Sequence, residues 1–458
     1  MAKAVKGRID KRQQTRRRNL FYISLSILII KLVIIFSIKF GGWMGSDAEG
    51  YVAGAANLLK DGFFATDRVL SYLPAGYPIV IWALAFLTGT GSFITNASSL
   101  VVLSIFQTLF YFGACAFFID KIRSTRLNKY AIPTAFLLGL NPTLSLSSMV
   151  AGYESIVASC MLLSIALIVD FRQNPNERSL WKTVALIGLL QSLSGITQPR
   201  ELLIGFALLL IWAIYENSRK VTAVILIAGS CAMLVLPLVL VFRNIEATGN
   251  AVLSAQLGAT MSGGAGDKAS GGYEGRSFIT CPPKPDGSTV SDNELVGCVL
   301  KWYAHNPGPT LHLMFNKAIF FWTPWSGPLA NGTAARNPWL KIDPIVDIAL
   351  TPGGRPWVLG WFGKIVSWIW MLGGLLLLYL GFRHLWILGG LEREISILLS
   401  APVLLAMLIS MGTIGDHRYR IPTMGMSLLL QIVGFYALKE RVRGWVVKPA
   451  LKPKARAR

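Results

Sequence analysis

Residues 20–58 read LFYISLSILIIKLVIIFSIKFGGWMGSDAEGYVAGAANL. The first part, residues 20–40, is long enough to cross a bilayer as a helix, which takes about 20 apolar residues. It exceeds the apolar core of a signal peptide and lacks a small-residue cleavage site, so a retained first span is expected. An acidic pair, Asp47 and Glu49, follows at the membrane edge, with Tyr51 and a row of alanines behind it. The fold reading therefore starts from a chain that crosses the membrane and then presents carboxylates.

Composition agrees. Of 458 residues, 53% are hydrophobic and 15% charged, against about a quarter charged in a soluble domain. Mean hydropathy is +0.52. Further apolar runs lie at 76–91, 98–119, 130–148, 155–171, 182–197, 201–215, 221–242, 312–325, 357–382, 395–412 and 421–438. The expectation is an all-α polytopic bundle of about ten to twelve membrane helices, with short helices on the loops of one face. Runs 76–91, 201–215 and 312–325 are short for spans and read as tilted or re-entrant pieces, tolerated where protein or a cavity covers them.

The net charge of +21 concentrates in the tails, 1–19 and 439–458. Flanking spans, such tails report cytoplasmic ends rather than nucleic-acid binding. Basic loops around Lys121, Arg123, Arg126 and Lys129, around Arg172, Arg178 and Lys182, at Arg219 and Lys220, and at Arg383 and Arg393 fall on the same side. The opposite, outer or periplasmic face then receives 41–75, 141–154, 197–201, 243–311 and 413–422. With 120–129 inside, runs 76–91 and 98–119 cannot both cross fully. The membrane domain is thus residues 20–438 of an integral plasma- or inner-membrane protein. Cys115, Cys160 and Cys231 lie in apolar runs and read as core. Cys281 and Cys298 lie in the polar loop and suit a disulfide on an oxidising side. The glycine-rich part of that loop, MSGGAGDKASGGYEG, resembles a linker, but a long loop in a compact protein is often a lid or binding loop.

The unusual polar residues gather on the outer face: Asp47, Glu49, Glu154, Arg200, Glu201, Arg243, Asn244, Asp416, His417, Arg418 and Arg420. Charges at span ends are ordinary one by one; carboxylates and arginines converging on one face suggest a site. Ser46-x-x-Glu49 is a capping-box pattern opening a helix with Tyr51, Ala55 and Leu58 on one face. That gives Glu49 a structural task and leaves Asp47 as the candidate base or metal ligand. Arg200 follows Pro199 at a hairpin tip, where it suits a lipid headgroup or a phosphate. Arg418 and Arg420 flank Tyr419 just before the last span and suit an anionic lipid.

Taken in order, these stretches resemble the multi-spanning glycosyltransferases of the GT-C type. That group includes bacterial relatives of protein O-mannosyltransferases and of the aminoarabinose transferase for lipid A. The residues that carry the resemblance are Asp47, Tyr51, Ala55 and Leu58; Pro74 to Pro78 with Tyr77; Asn141 to Ser155; and Gly195 with Arg200. Arg243, Asn244 and Gly249, then Asn306 with Pro307, then Arg418 to Pro422 complete the series. It covers about residues 20–440.

The resemblance implies a GT-C bundle acting in cell-envelope glycosylation. A sugar on a polyprenyl phosphate would pass, with inversion, to an acceptor glycan, lipid or protein outside the membrane. Asp47 would be the base. Arg200, Arg418, Arg420 and Arg243 would hold the donor phosphate, where prepaid positive charge stabilises the departing anion. Glu49, Tyr51, Glu154, Tyr77 and Tyr419 would contact substrate. Loop 41–75 would be catalytic, and loop 243–311 a lid or acceptor-binding element. The resemblance names no certain cofactor; a divalent metal is compatible but not indicated, because Ala48 separates the acids that stand adjacent in some relatives. The aminoarabinose branch has a lysine ahead of its proline motif. Here Tyr72 and Leu73 precede Pro74, and Arg68 is the nearest cation. The competing readings are a lipid or glycan transporter or flippase, which predicts repeat symmetry and mid-span charges, and a ligase using lipid-pyrophosphate glycans.

Overall fold

The computed structural model describes residues 2–37, 47–89, 97–141, 143–272, 278–284, 290–322 and 361–446. Among these there is no β-strand; Gly272 and Gly415 form an isolated parallel bridge. In chain order the helices are α1 (Ala2–Ser37), α2 (Asp47–Asp61), α3 (Arg68–Tyr72), α4 (Gly76–Leu87), α5 (Ala97–Arg123), α6 (Ala131–Leu140), α7 (Leu144–Ser147), α8 (Glu154–Gln173) and α9 (Leu180–Thr197). They continue as α10 (Glu201–Ile214) and α11 (Arg219–Thr248), with a π-helical turn at Val224–Ala228. Then come α12 (Leu257–Gly263), α13 (Asp292–His305), α14 (Pro307–Trp322), α15 (Trp361–Leu388), α16 (Gly390–Gly412) and α17 (Met424–Val446). Among the described residues, eight helices are long and apolar enough to cross a membrane, and α4 and α10 are shorter apolar helices. The chain is a polytopic membrane protein.

α8 is the axle. Of its span, 89% is buried, against 17% for the span in α1. It packs against α5, α9, α10, α16 and α17. α15 and α17 approach each other through glycine. A Cβ on Gly381 would meet the Leu430 carbonyl oxygen at 1.9 Å, and one on Gly434 the Leu377 carbonyl oxygen at 1.9 Å. Small residues let backbones touch where lipid supplies no hydrophobic drive between helices. α2 buries Ala48, Tyr51, Val52, Gly54, Ala55 and Leu58 on one face and lies along α4, so the small residues behind Asp47 are packing positions.

Three sequence expectations change. Run 130–148 is not one helix: α6 ends at Leu140, and residues 143–153 are irregular apart from the single turn of α7. The Asn141 side chain accepts from the amides of Thr143 and Leu144 at 3.0 and 2.9 Å, turning the chain there. The buried backbone beyond it is served by α5. Thr108 donates to the Ser148 carbonyl at 3.1 Å, Ser104 to Met149 at 2.7 Å and Gln107 to Val150 at 2.8 Å. These bonds are what permit irregular backbone inside a membrane bundle. Second, the glycine-rich stretch is packed: residues 261–266 and 271–272 are buried. Its contact to the residues before Arg418 is close, since a Cβ on Gly415 would meet the Gly271 carbonyl oxygen at 2.6 Å. Third, Cys231 is exposed, whereas Cys115 and Cys160 are buried. Cys281 and Cys298 are joined by a disulfide, Cα–Cα 5.7 Å. Ser46 and runs 323–360 lie outside the described residues.

Candidate active site

The site is built at one end of α8. The 3-10 helix His417–Thr423 starts there, capped by Asp416, whose carboxylate accepts from the Arg418 amide at 2.9 Å. This sets the Arg418 side chain inward. Its Nη1 donates to Asp47 Oδ2 at 2.8 Å, and its Nε donates to Glu154 Oε1. Arg418 and Glu154 are buried, with 3% and 0% of their side chains exposed, while 27% of Asp47 is open. One arginine therefore ties the first turn of α2 to the first turn of α8. Glu154 Oε2 and Arg418 Nη2 have no hydrogen-bond partner among the described residues. Buried polar atoms left this way cost stability and invite a functional explanation.

Tyr153 is the hub of the surrounding shell. Its hydroxyl accepts from Gln198 Nε2 at 3.0 Å and Arg200 Nη2 at 3.3 Å. The Arg418 guanidinium lies 5.2 Å from its ring centre, and the Tyr51 ring meets it edge-on at 6.1 Å. Arg200 stacks 3.5 Å above the Tyr419 ring and pairs with Glu201 at 3.1 Å. Burial pushes the Tyr51 and Tyr153 hydroxyls up. Both phenols stay protonated near neutral pH, so neither is a base and Asp47 keeps that role as candidate.

Of the residues expected from sequence, the structure gathers Asp47, Glu154, Arg418, Tyr51, Arg200 and Tyr419. Tyr77 joins them through its ring, edge-on to Tyr51 at 5.2 Å; Glu49, Arg243 and Arg420 are not brought to this cluster. Glu49 is exposed on α2. Tyr77 is a beam: its hydroxyl donates to Gln107 at 2.8 Å and accepts from the Gly152 amide at 2.7 Å. Arg243 is buried against the Phe63 and Ala65 carbonyls and Asn244, where it anchors the loop after α2. Arg420 turns toward Trp322, donating to its carbonyl. It also lines a small cavity of about 30 Å³ with Asn141, Trp322, Ser427, Gly374 and Gln431. No carboxylate pairs with Arg420 among the described residues. Tyr153 and Gln198 escaped the sequence reading, although each adjoins a residue that was noted. The resemblance admits a divalent metal, and the described residues by themselves offer no cluster for one. Among the described residues no three His, Cys, Asp or Glu side chains converge, and Asp47 is turned to Arg418.

No protein-family model matches the chain. No curated protein matches it either. Among solved structures, it is similar to the apo crystal structure of the Archaeoglobus fulgidus oligosaccharyltransferase, at 11% identity and TM-score 0.48, over 94% of this chain and 53% of that one. It is also similar to archaeal oligosaccharyltransferase AglB from Archaeoglobus fulgidus in complex with an inhibitory peptide and a dolichol-phosphate. There the identity is 11% and the TM-score 0.46, over 94% and 52% of the two chains. The chain spans about half the length of these structures.

Proposed function

We propose that this protein is a GT-C type membrane glycosyltransferase. It moves a sugar from a polyprenyl-phosphate donor to a hydroxyl or amine acceptor at the outer face, with inversion. The observation that carries the reading is the Asp47–Arg418–Glu154 bridge: a partly open carboxylate aimed by a buried arginine. Asp47 Oδ2 is held by Arg418, and the other oxygen is left to take the acceptor's proton as that acceptor attacks the anomeric carbon. The bond from the anomeric carbon to the phosphate oxygen breaks on the opposite side, and its electron pair leaves with the lipid phosphate. Arg200, stacked on Tyr419 within the cluster, is the cation that would offset that growing charge. Arg418 already serves two carboxylates, so its task in this reading is orientation.

The side of the membrane follows from charge. The end of the bundle opposite the site carries Lys121, Arg126, Lys129, Arg172, Arg178 and Arg219, which fits a cytoplasmic face with both termini inside. The disulfide layer at the site end fits an oxidising face. That layer, with α12 and α13, is the proposed acceptor side.

The test is transfer by the purified protein from a panel of radiolabelled polyprenyl-phosphate monosaccharides. Asp47→Asn should lose roughly 10²- to 10⁴-fold in rate, with the protein still folded because Arg418 keeps Glu154. Full transfer by the folded variant would refute the role of Asp47.

A further inference from the structure

A buried lysine stands in the first span. Lys31 lies within the apolar segment Arg18–Ser37 and is only 7% exposed. A charged side chain at membrane depth is costly and is kept for a reason. Among the described residues no carboxylate pairs with it. Its Nζ donates to Ser148 Oγ at 2.7 Å and lies 5.0 Å from the centre of the Tyr111 ring. The adjoining cavity, about 30 Å³ and lined by Ile27, Tyr111, Cys115 and Gly139, is too small for a lipid headgroup. The lysine therefore acts on the protein, and its one polar contact shows where.

Ser148 belongs to the irregular segment that precedes α8. From Ser148 to Gly152, three carbonyls and one amide of that segment are held by side chains from other helices. Thr108, Ser104 and Gln107 of α5 take the carbonyls of Ser148, Met149 and Val150. Gln107 also accepts from the Tyr77 hydroxyl, which in turn takes the Gly152 amide. The next residues are Tyr153 and Glu154, the hub and the buried carboxylate of the site. The same Ser148 hydroxyl that receives the lysine donates back to the Ser145 carbonyl at 2.8 Å. The lysine thus closes one end of a ladder whose other end delivers Glu154 to Arg418.

We propose that Lys31 is a positioning residue for the site. Its ammonium fixes Ser148 and so sets the height at which Glu154 meets Arg418 and Arg418 aims Asp47. The inference rests on the transfer reading above and assigns no contact between Lys31 and substrate. What matters is a hydrogen-bond donor at this depth, so a neutral donor should serve in part.

The experiment pairs kinetics with amide exchange on the full-length protein in detergent. The probe is whichever panel donor turns over fastest. Lys31→Met and Ser148→Ala should each lower kcat roughly ten- to hundredfold, with donor KM within about twofold of wild type. Both should speed exchange in residues 144–153 and leave residues 292–305 unchanged. The double variant should lose no more than the worse single, because one contact is being removed twice. Lys31→Gln should recover most of the rate. Unchanged kcat and exchange in Lys31→Met would overturn the proposal. So would a Lys31→Gln variant as slow as Lys31→Met with exchange raised across the whole protein, since that is general loosening. Exchange reads the anchor without substrate. A fully active Asp47→Asn with Lys31→Met still loosening 144–153 would instead sink the transferase reading and leave the anchor standing.

Discussion

The two ends of α8 are pinned by the same chemistry and built to different standards. At the site end Arg418 joins Glu154 to Asp47. At the far end Arg172 joins Glu394 of α16 and Glu216 beyond α10, at 3.0 and 3.1 Å, and Asp170 pairs with Lys121 and Arg178. Arg172 keeps 28% of its side chain in reach of solvent; Arg418 keeps 3%. At the far end water reaches the arginine, while its partner Glu394 is 1% exposed. The site end spends two buried charges where an apolar contact would pack as well, because replacing a buried pair by hydrophobic residues is often neutral or stabilising. That difference argues that Arg418 and Glu154 are kept for what they do to Asp47.

Removing each arginine tests the contrast, and this is the largest effect expected. Arg418→Gln leaves Glu154 buried without its cation, at a cost of about 3–5 kcal/mol, and should abolish transfer. Arg172→Gln strands Glu394, 1% exposed, and should cost a similar amount, about 3–5 kcal/mol, but leave the kcat of the folded fraction near wild type. Denaturation in detergent and the transfer assay read the two quantities separately. Equal loss of kcat in both variants would erase the distinction between a pin and a site.

A smaller effect is expected where the glycine-rich strap meets the segment carrying Arg418. Gly415→Ala would drive a methyl into the Gly271 carbonyl and toward Lys317 Cα, at 2.6 and 2.7 Å. The strap must lift or the segment must shift. Off-geometry placement of the site should lower kcat roughly tenfold. Gly412→Ala, with open space around its Cβ, is the control and should retain activity. If both variants transfer equally, the strap has no hold on Arg418.

The sequence carried the apolar runs, and among the described residues eight of them are helices of spanning length. It also carried the one-face clustering of Asp47, Glu154, Arg200 and Arg418. What it hid was the backbone between Asn141 and Glu154. Ser104, Gln107 and Thr108 read as polar flecks tolerated in a span, and their partners lie some 40 residues away in sequence. Lys31 was concealed the same way, as one cation inside a run judged by its average. Arg243 shows the opposite failure: its motif position suggested phosphate, but burial against Phe63 and Ala65 gives it a structural load. Arginine at a span exit looks the same in sequence whether it holds a ligand or a loop.

The smallest effect lies at the start of α13. There Ser291 and Glu294 form a capping box and Lys284 reaches Glu294 at 2.9 Å. The Lys284 ammonium, then the Ser291 amide and hydroxyl, hold the Glu294 carboxyl down at about 2, against an ordinary value of 4.5. A depressed carboxylate contributes stability that is complete above the unfolded value and is lost as pH falls toward the folded one. Protection of the first turn of α13 should therefore hold constant down to about pH 4.5 and decline from there toward about pH 2. In Glu294→Gln the protection should start lower and stay flat across that window. The group is exposed, so the change should be confined to this turn, and transfer at neutral pH should be untouched. Amide exchange at stepped pH decides it. A decline of equal size in Glu294→Gln would show that this carboxyl is not the source of the acid sensitivity.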